Sequence, residues 1–479
     1  MAGESVDWES DPAGMMKVYQ GQNYDLGQSI ADLVDNGIDE GATKVEILIH
    51  PGTEDKDLFI AIFDNGSGIH ESQFDDIMKL GHSTKTDATK LGVFGVGLKL
   101  SSLAQADEVT IVSGKKGDTK TMRRISAPYI LKNNLNKLMK FPNTNPDGTE
   151  SAAYTECYNK LNDDDWSTLV LLEGIHAKDQ FLAINEYYMT SLSKEIERVI
   201  IHLGLTFHRI LDRGDVEISI GRGGGRPARE IKPLHPGLPQ ETDLDFGTVS
   251  SKKQTIAYDT DNVQLNITVE YVILPHAKTI QHKYSRLINK GYKRANDMQG
   301  LYIYRNNRLI QYGNWQGMVG GVSRNDEHAK LGKIFIDIPS DHIKRFGLNP
   351  TKTEVKLPVG FLRRLMADSE KPRKWGNIEK GKELTFFEAF DKRYRTDGKA
   401  HKKRQEQDTS TTQTTVSTPV TDTISDPAAR VREHRKKLKP KRIIHSLEEN
   451  ESTITLTLEG TDEERQNLVE ALKEWRINE

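Results

Sequence analysis

Polar residues lie on one side of a short predicted helix, and two of them have the spacing of a catalytic pair. The apolar residues of segment 29–39 recur at helical spacing, and Asp32, Asp35, Asn36 and Asp39 share the opposite arc. Asp32 and Asn36 are one helical turn apart, so both side chains can enter one site. A carboxylate there suits activation of a water, and an amide oxygen suits a hard cation such as Mg²⁺. A surface helix with a solvated acidic face explains the same pattern.

A second candidate lies where an apolar strand ends. Residues 64–68, Asp-Asn-Gly-Ser-Gly, follow the apolar residues 58–63, which predict a strand. A carboxylate at a strand end, beside glycines that remove side-chain bulk, suits an acceptor for an exocyclic amine. An ordinary Asp-Asn-Gly turn is the alternative interpretation.

The third candidate is the glycine-rich segment 92–99, Gly-Val-Phe-Gly-Val-Gly-Leu-Lys. A glycine-rich stretch that enters a helix presents backbone N–H groups and the positive end of the helix dipole to phosphate. A tight turn explains the glycines equally well, and the segment is neither a Walker A sequence nor a dinucleotide-binding fingerprint. Lys99 is a further candidate for phosphate contact, or else an ordinary lysine on a helix face.

Predicted helices and strands alternate around these candidates, which indicates an α/β fold. Strands are predicted at 45–49, 58–63, 109–112 and 168–172, and again between 254 and 340, with helical patterns at 184–211 and 360–395. Residues 396–427 lack clustered large apolar side chains and predict a disordered linker.

Composition narrows the class of protein. The 479 residues predict about three domains, and the formal net charge of −3 excludes a globally basic protein that coats nucleic acid. A single cysteine, Cys157, excludes a disulfide framework and a cysteine-based zinc finger. The sequence has neither an apolar run long enough for a membrane helix nor the pattern of a signal peptide at its start. We therefore expect a soluble cytoplasmic protein with no membrane partner.

Taken together and in this order, the three candidates resemble the ATP-binding module of the GHKL superfamily, which includes gyrase, Hsp90, histidine kinases and MutL. The matches are Asp32 to Asn36 with the first box, Asp64, Gly66 and Gly68 with the adenine box, and Gly92, Gly95 and Gly97 with the box at the hinge of the lid. Segment 166–170 resembles the strand that supports the adenine carboxylate, with Ser167 in the place of a glycine.

The resemblance continues beyond this module. Residues 302–310, Tyr-Ile-Tyr-Arg-Asn-Asn-Arg-Leu-Ile, are similar to the second domain of MORC-type ATPases, and residues 349–355 resemble the MutL segment that carries a phosphate-binding lysine. The fold class that follows is α/β, with a GHKL (Bergerat) α/β sandwich ATPase domain and then an S5-like α/β transducer domain. The expected boundaries are 1–215 for the ATP-binding domain, 216–365 for the transducer, 366–395 for a helical extension, 396–428 for the linker and 429–479 for a small basic strand-helix element.

The resemblance also implies roles for individual residues. Asp64 accepts a hydrogen bond from the adenine amino group with help from Thr168, and Asn36 ligates Mg²⁺. The backbone amides of Gly95 and Gly97 contact phosphate. The cofactors implied are ATP and Mg²⁺.

Hydrolysis would then depend on a lid, a base and a lysine from the second domain. Residues 80–97 would form the lid, and Lys352 would neutralise charge that develops on the γ-phosphate. Asp32 takes the place of the glutamate that usually activates the attacking water. Because aspartate is one methylene shorter, either the local helix is adjusted to it or hydrolysis is slow.

The function implied is a nucleotide-switched dimeric clamp that acts with or on DNA, in repair, restriction or antiphage defence. Basic residues in segments 278–294 and 430–442 fit contact with a phosphate backbone, or else solvated surface and tail. A separate nuclease or helicase would be a partner. The competing classes are an Hsp90-like chaperone, a sensor histidine kinase, and a nucleotide-binding regulator with little turnover.

Overall fold

The computed structural model describes the greater part of the chain, in two compact units at residues 1–406 and 407–479. The described residues are 11–52, 57–79, 90–91, 97–140, 151–163, 166–177, 191–223, 227–237, 248–260, 263–275, 298–318, 328–340, 345–348, 355–376, 378–411, 444–450 and 453–458. Most of the expected lid, with Gly92 and Gly95, lies outside this set, as do Lys352, both basic segments and the helix expected near the C-terminus.

The first sheet is mixed and carries the candidate site. Its strands within the described residues are β1 (Lys44–His50), β2 (Phe59–Asp64), β3 (Ala106–Ser113), β4 (Thr121–Ser126), β5 (Thr168–Ile175), β6 (Glu217–Gly221) and β7 (Arg229–Glu230). They are ordered β4-β3-β5-β2-β1-β6-β7. Neighbours are antiparallel except for β1 and β6, which are parallel.

Helices cover both faces of this sheet. They are α1 (Pro12–Gln20), α2 (Leu26–Asp39), α3 (Glu71–Met78), α4 (Gly97–Leu103), α5 (Ala127–Asn133), α6 (Ala152–Asp163), α7 (Ser191–Thr206) and α8 (His208–Asp212). Val45 and Ile47 of β1 share a core with α2 and α7, whereas Leu48 shares one with α6. The alternation of strand side chains between the two faces explains this division.

A second sheet follows in the same compact unit. Its strands are β8 (Val249–Ser250), β9 (Gln254–Thr260), β10 (Val263–Ile273), β11 (Gly300–Arg305), β12 (Arg308–Tyr312) and β13 (Gly332–Asp337). The order is β12-β11-β13-β10-β8, with β9 also paired to β10, and β11 and β13 are parallel. Phe361, Phe386 and Phe390, from α9 (Val359–Ser369) and α10 (Phe386–Thr411), complete its core.

Two short hairpins complete the described structure. β14 (Arg373–Lys374) pairs with β15 (Glu383–Leu384) between α9 and α10. In the C-terminal unit, β16 (Ile444–Asn450) pairs with β17 (Thr453–Leu458).

The α/β architecture expected from the sequence is confirmed, and two element boundaries differ from the expectation. β6 and β7 belong to the first sheet, which therefore extends to residue 230 rather than ending at 215. α10 continues to Thr411, into the segment expected to be a disordered linker. Residues 398–407 are rich in lysine, arginine, glutamine and glutamate, which have high helix propensity, so apolar packing is not required for a helix there.

In the part of the chain that is described, no helix is both long enough and apolar enough to cross a membrane.

Candidate nucleotide-binding site

Helix α2 is fixed at its start by a capping box. The Asp25 carboxylate accepts from the backbone N–H of Gln28 at 2.8 Å, and the Gln28 side chain accepts from the N–H of Asp25 at 3.4 Å. Both end groups are satisfied within one turn, so the helix starts at a defined residue. Ile30, Leu33 and Val34 then pack into the core.

Two of the acidic side chains of α2 are buried, so the alternative of a solvated acidic face is wrong for them. Asp32 is 1% exposed and Asp35 is fully buried. Two carboxylates that are shielded from solvent require positively charged or hydrogen-bonding partners, because burial of an unpaired charge is costly.

The second sheet supplies that compensation through Arg308. Its Nη2 lies 3.3 Å from Oδ1 of Asp32, and its Nε lies 2.9 Å from the Asp35 carboxylate. The other Asp32 oxygen accepts a hydrogen bond from the Tyr24 hydroxyl at 3.2 Å. Asp32 and Tyr24 lie close together in a dry environment, so burial and the nearby carboxylate raise the pKa of the Tyr24 hydroxyl well above its usual value.

A tight turn brings Arg308 to α2. Asn306 and Asn307, which join β11 to β12, both have positive φ, 48° and 64°. Asparagine tolerates this conformation, which is typical of two-residue hairpin turns. Arg305 and Arg308 are cross-strand partners directly beside the turn, so their side chains leave the same face of the hairpin. Sequence reasoning noted this segment for its resemblance to MORC proteins but did not identify Arg308 as a site residue.

Asp64 ends β2 as expected, and its carboxylate is held by its own turn. Oδ1 accepts from the Gly66 N–H at 2.9 Å and lies 3.5 Å from the Ser167 hydroxyl. Burial raises the pKa of the Asp64 carboxyl to about 6, and those two hydrogen bonds oppose the rise. Asp64 is thus a half-buried acceptor with a fixed orientation, the property that recognition of an amino group requires.

Thr168 lies beside Asp64, but its hydroxyl has a different partner. The two residues are opposite each other across β2 and β5. The Thr168 hydroxyl is 2.8 Å from the hydroxyl of Ser113, which accepts in turn from the Ile69 N–H at 3.0 Å. Ser167, at the position of the expected glycine, is the residue whose hydroxyl reaches Asp64.

Glycine is required at position 68 and makes close contacts at two further positions around Asp64. Gly68 has φ of +69°, and a Cβ placed there would lie 2.1 Å from the carbonyl oxygen of Gly114. A Cβ on Gly66 would be 3.0 Å from Oδ1 of Asp64. Gly37, which the sequence did not single out, faces the same carboxyl group from α2. These contacts let helix, strand and turn approach closely.

The start of α4 lies next to Asp32. A Cβ placed on Gly97 would be 3.8 Å from Oδ2 of Asp32, so this oxygen faces the expected phosphate-binding segment. Lys99 is buried, which excludes the exposed helix-face alternative, and its ammonium donates to the Lys79 carbonyl at 2.8 Å. Burial lowers the pKa of the Lys99 ammonium to about 8.

The described part of the expected lid, Lys90 and Leu91, is tied to two elements. Towards α2, the Lys90 ammonium pairs with Glu40 at 2.8 Å and the Leu91 N–H donates to Asp39. Towards the hairpin, the Leu91 carbonyl accepts from Arg305 at 3.1 Å and the Lys90 carbonyl accepts from Asn306 at 3.3 Å. We call residues 90–91 the lid stem.

Asn36 lies on α2 one turn beyond Asp32 and is half-buried. In the described residues there is no group of three or more His, Cys, Asp or Glu side chains that would hold a metal by themselves. One amide oxygen with phosphate oxygens and waters is a donor set that suits Mg²⁺, which retains several waters in proteins. The residues present therefore fit a magnesium ion that arrives with a nucleotide.

Comparison with known proteins shows which family this site resembles. A family model described as "Histidine kinase-, DNA gyrase B-, and HSP90-like ATPase" matches residues 24–159. The DNA mismatch repair protein MutL of Borreliella afzelii (strain PKo) is 36% identical over 111 residues, 22% of this chain and 18% of that protein. Protein MICRORCHIDIA 4 of Arabidopsis thaliana is 34% identical over 100 residues, 19% and 12% of the two chains. The mismatch repair endonuclease PMS2 of Homo sapiens is 33% identical over 91 residues, 18% and 10%.

The matched stretch thus spans less than a fifth of each of these relatives. The family match, over residues 24–159, includes α2 and the end of β2, which carry Asp32, Asn36 and Asp64. The expected resemblance is confirmed: residues 24–159 match the model of a GHKL-type ATPase, and part of the chain is similar to MutL and MICRORCHIDIA proteins.

Proposed function

We propose that this chain binds ATP with Mg²⁺ and hydrolyses it, and that the nucleotide switches it between open and closed forms of a dimeric clamp. The observation that carries the proposal is the position of Asp32, a buried carboxylate beside the start of α4. The proposal is supported by the GHKL match over the same residues.

The adenine would bind at Asp64. Its half-buried carboxylate has acceptor capacity beyond the Gly66 N–H, because an ionised carboxylate offers about four lone-pair sites. Gly37, Gly66 and Gly68 let α2 and the turn pack closely around this carboxylate, which fixes the position of the acceptor that would face the adenine.

Hydrolysis would use Asp32 as the group that orients and deprotonates the attacking water. The approach of the phosphates from the glycine-rich segment is supported by the short distance between Gly97 and Asp32. Asn36 would hold Mg²⁺ together with the phosphates, and the ion would neutralise their charge. Lys352 would add a second positive charge, from a segment outside the described residues.

The clamp and its DNA-related role rest on similarity and on the contacts between the two sheets. Arg308 and Arg305 connect the hairpin of the second sheet to α2 and to the lid stem, so a change at the nucleotide can alter how the sheets pack. Relatives named for DNA mismatch repair favour DNA as the substrate on which the clamp acts. Segment 278–294 is the candidate basic surface.

Two measurements test the proposal. The first is ATP turnover with and without duplex DNA, which should show Mg²⁺-dependent hydrolysis that DNA changes. The second is mass by light scattering with a non-hydrolysable ATP analogue, with ADP and without nucleotide, and we expect a dimer only with the analogue because the γ-phosphate supplies the differential affinity. The same mass in all three conditions would contradict the clamp and leave the ATP site untouched.

Lys352→Ala tests hydrolysis separately from ATP binding. It should lower turnover strongly and ATP affinity less, because the charge of the lysine matters most in the transition state.

A second candidate function is a nucleotide-binding regulator with little turnover. It is favoured by the pairing of both Asp32 oxygens, and binding of ATP without measurable hydrolysis would support it.

A further inference from the structure

We infer that Arg308 is a positioning residue for hydrolysis, and that the second sheet holds the Asp32 carboxylate in place through it. The inference deepens the proposed function and rests on it. It assigns a role to a residue 276 positions away from Asp32 in the sequence.

The first argument is geometric. Asp32 is held from two sides, by Arg308 at one carboxylate oxygen and by the Tyr24 hydroxyl at the other. Arg308 is itself 4% exposed and is fixed by its Nε contact with Asp35. The carboxylate therefore has little freedom to rotate, and Oδ2 remains directed at the start of α4. A group that must meet an attacking water benefits from such restriction, since small misplacements cost rate.

The second argument concerns charge. Asp32 and Asp35 are both buried. Without a positive charge nearby, repulsion between the two carboxylates would favour protonation of one of them. The guanidinium between them stabilises the ionised form that a general base requires. Its planar fork can contact both carboxylates at once, which a lysine ammonium does with poorer geometry.

The third argument is that the same hairpin holds the lid stem. Arg305 and Asn306, beside the turn, donate to the carbonyls of Leu91 and Lys90. A shift of the hairpin relative to α2 would alter the Asp32 contact and the lid stem together. The hairpin thus links the packing of the second sheet to both the base and the lid.

The test compares Arg308→Gln and Arg308→Lys with the unaltered full-length chain. We expect kcat to fall on the order of a hundredfold in Arg308→Gln. Binding of a fluorescent ATP analogue should change by less than about threefold, because the side chain contacts the base rather than the nucleotide. Arg308→Lys should recover part of kcat, since it restores the charge without the fork. In an Asp32→Asn background, Arg308→Gln should lower the residual single-turnover rate no further.

Arg373→Gln is the matched control, because it removes a half-buried arginine of the same compact unit whose partner is Asp368. It should leave kcat unchanged. If Arg308→Gln does not fold, as judged by its thermal transition, Arg308→Lys still decides the matter. Unchanged or increased kcat in the Arg308 variants, or equal losses in kcat and affinity, would overturn the inference alone. No hydrolysis by the unaltered chain would overturn it together with the proposed ATPase activity.

Discussion

Gly37 on α2 lies directly against Asp64 at the end of β2. A Cβ placed on Gly37 would be 3.0 Å from the Asp64 Cβ, so a side chain there would push the helix and the strand apart by a few tenths of an ångström. The helix that carries Asp32 and the strand that carries Asp64 therefore approach each other across a glycine. This contact fixes the spacing between the two ends of the candidate nucleotide site.

Replacement of Asp64 tests the adenine end. Asp64→Asn should lower ATP affinity by about 1–3 kcal/mol, because the amide either presents its NH₂ to a donor or gives up an acceptor. Isothermal titration calorimetry measures the change. Asp118→Asn, in the exposed turn between β3 and β4, is the control and should bind ATP normally. Unchanged affinity in Asp64→Asn would remove Asp64 from the adenine site.

The same carboxyl group predicts a pH dependence of binding. Because burial raises the pKa of Asp64 to about 6, a fall in pH through that value adds a proton that competes with the adenine amino group. The affinity of the unaltered chain should therefore fall between about pH 8 and about pH 5, by more than that of Asp64→Asn. The variant corrects for titration of the nucleotide phosphates. Parallel pH profiles for the two proteins would contradict the prediction.

Local features of the sequence were sufficient to predict the helix and the strand that carry the candidate site. The apolar spacing of segment 29–39 predicted α2, and Asp64 was correctly expected at the end of a strand. Both depend on neighbours within a few residues, which periodicity and turn chemistry describe well.

Long-range partners could not be predicted in this way. The pairing of Arg308 with Asp32 depends on how a hairpin of the second sheet packs on α2, and no local pattern encodes that. Ser167 looked like a departure from a glycine pattern, and only the neighbouring strand register shows that its hydroxyl reaches Asp64. Gly37 resembles any glycine in a helix until the strand beside it is known.

Gly68→Ala tests the close approach of the turn after β2 to Gly114, the residue that follows β3. The substitution combines positive φ with a Cβ that would lie 2.1 Å from the Gly114 carbonyl oxygen, so backbone must move. We expect a loss of about 1–2 kcal/mol of stability from φ alone and a further ~1–3 kcal/mol from the clash. Chemical denaturation measures the loss of stability, and Gly41→Ala is the control. Gly41 has a φ of +79°, and no atom lies within 4 Å of the added carbon, so this variant shows the cost of the positive φ without a clash. Equal losses for the two variants would show that the contact with Gly114 does not constrain the loop.

The length of the side chain at position 32 is the last test. Asp32→Ala should still bind ATP and should hydrolyse it on the order of a hundredfold more slowly or worse, because the base acts in the transition state. Asp32→Glu restores the usual glutamate, yet we expect lower turnover than that of the unaltered chain. Asp32 is 1% exposed and both of its carboxylate oxygens are already bound, so an added methylene must displace Arg308, Tyr24 or the helix. Steady-state kcat shows whether the site is fitted to aspartate or is limited by its shorter side chain. Binding of the fluorescent ATP analogue is the control for site integrity. Faster hydrolysis by Asp32→Glu would instead show that the shorter carboxylate limits the rate and that Arg308 and Tyr24 can adjust to a longer one.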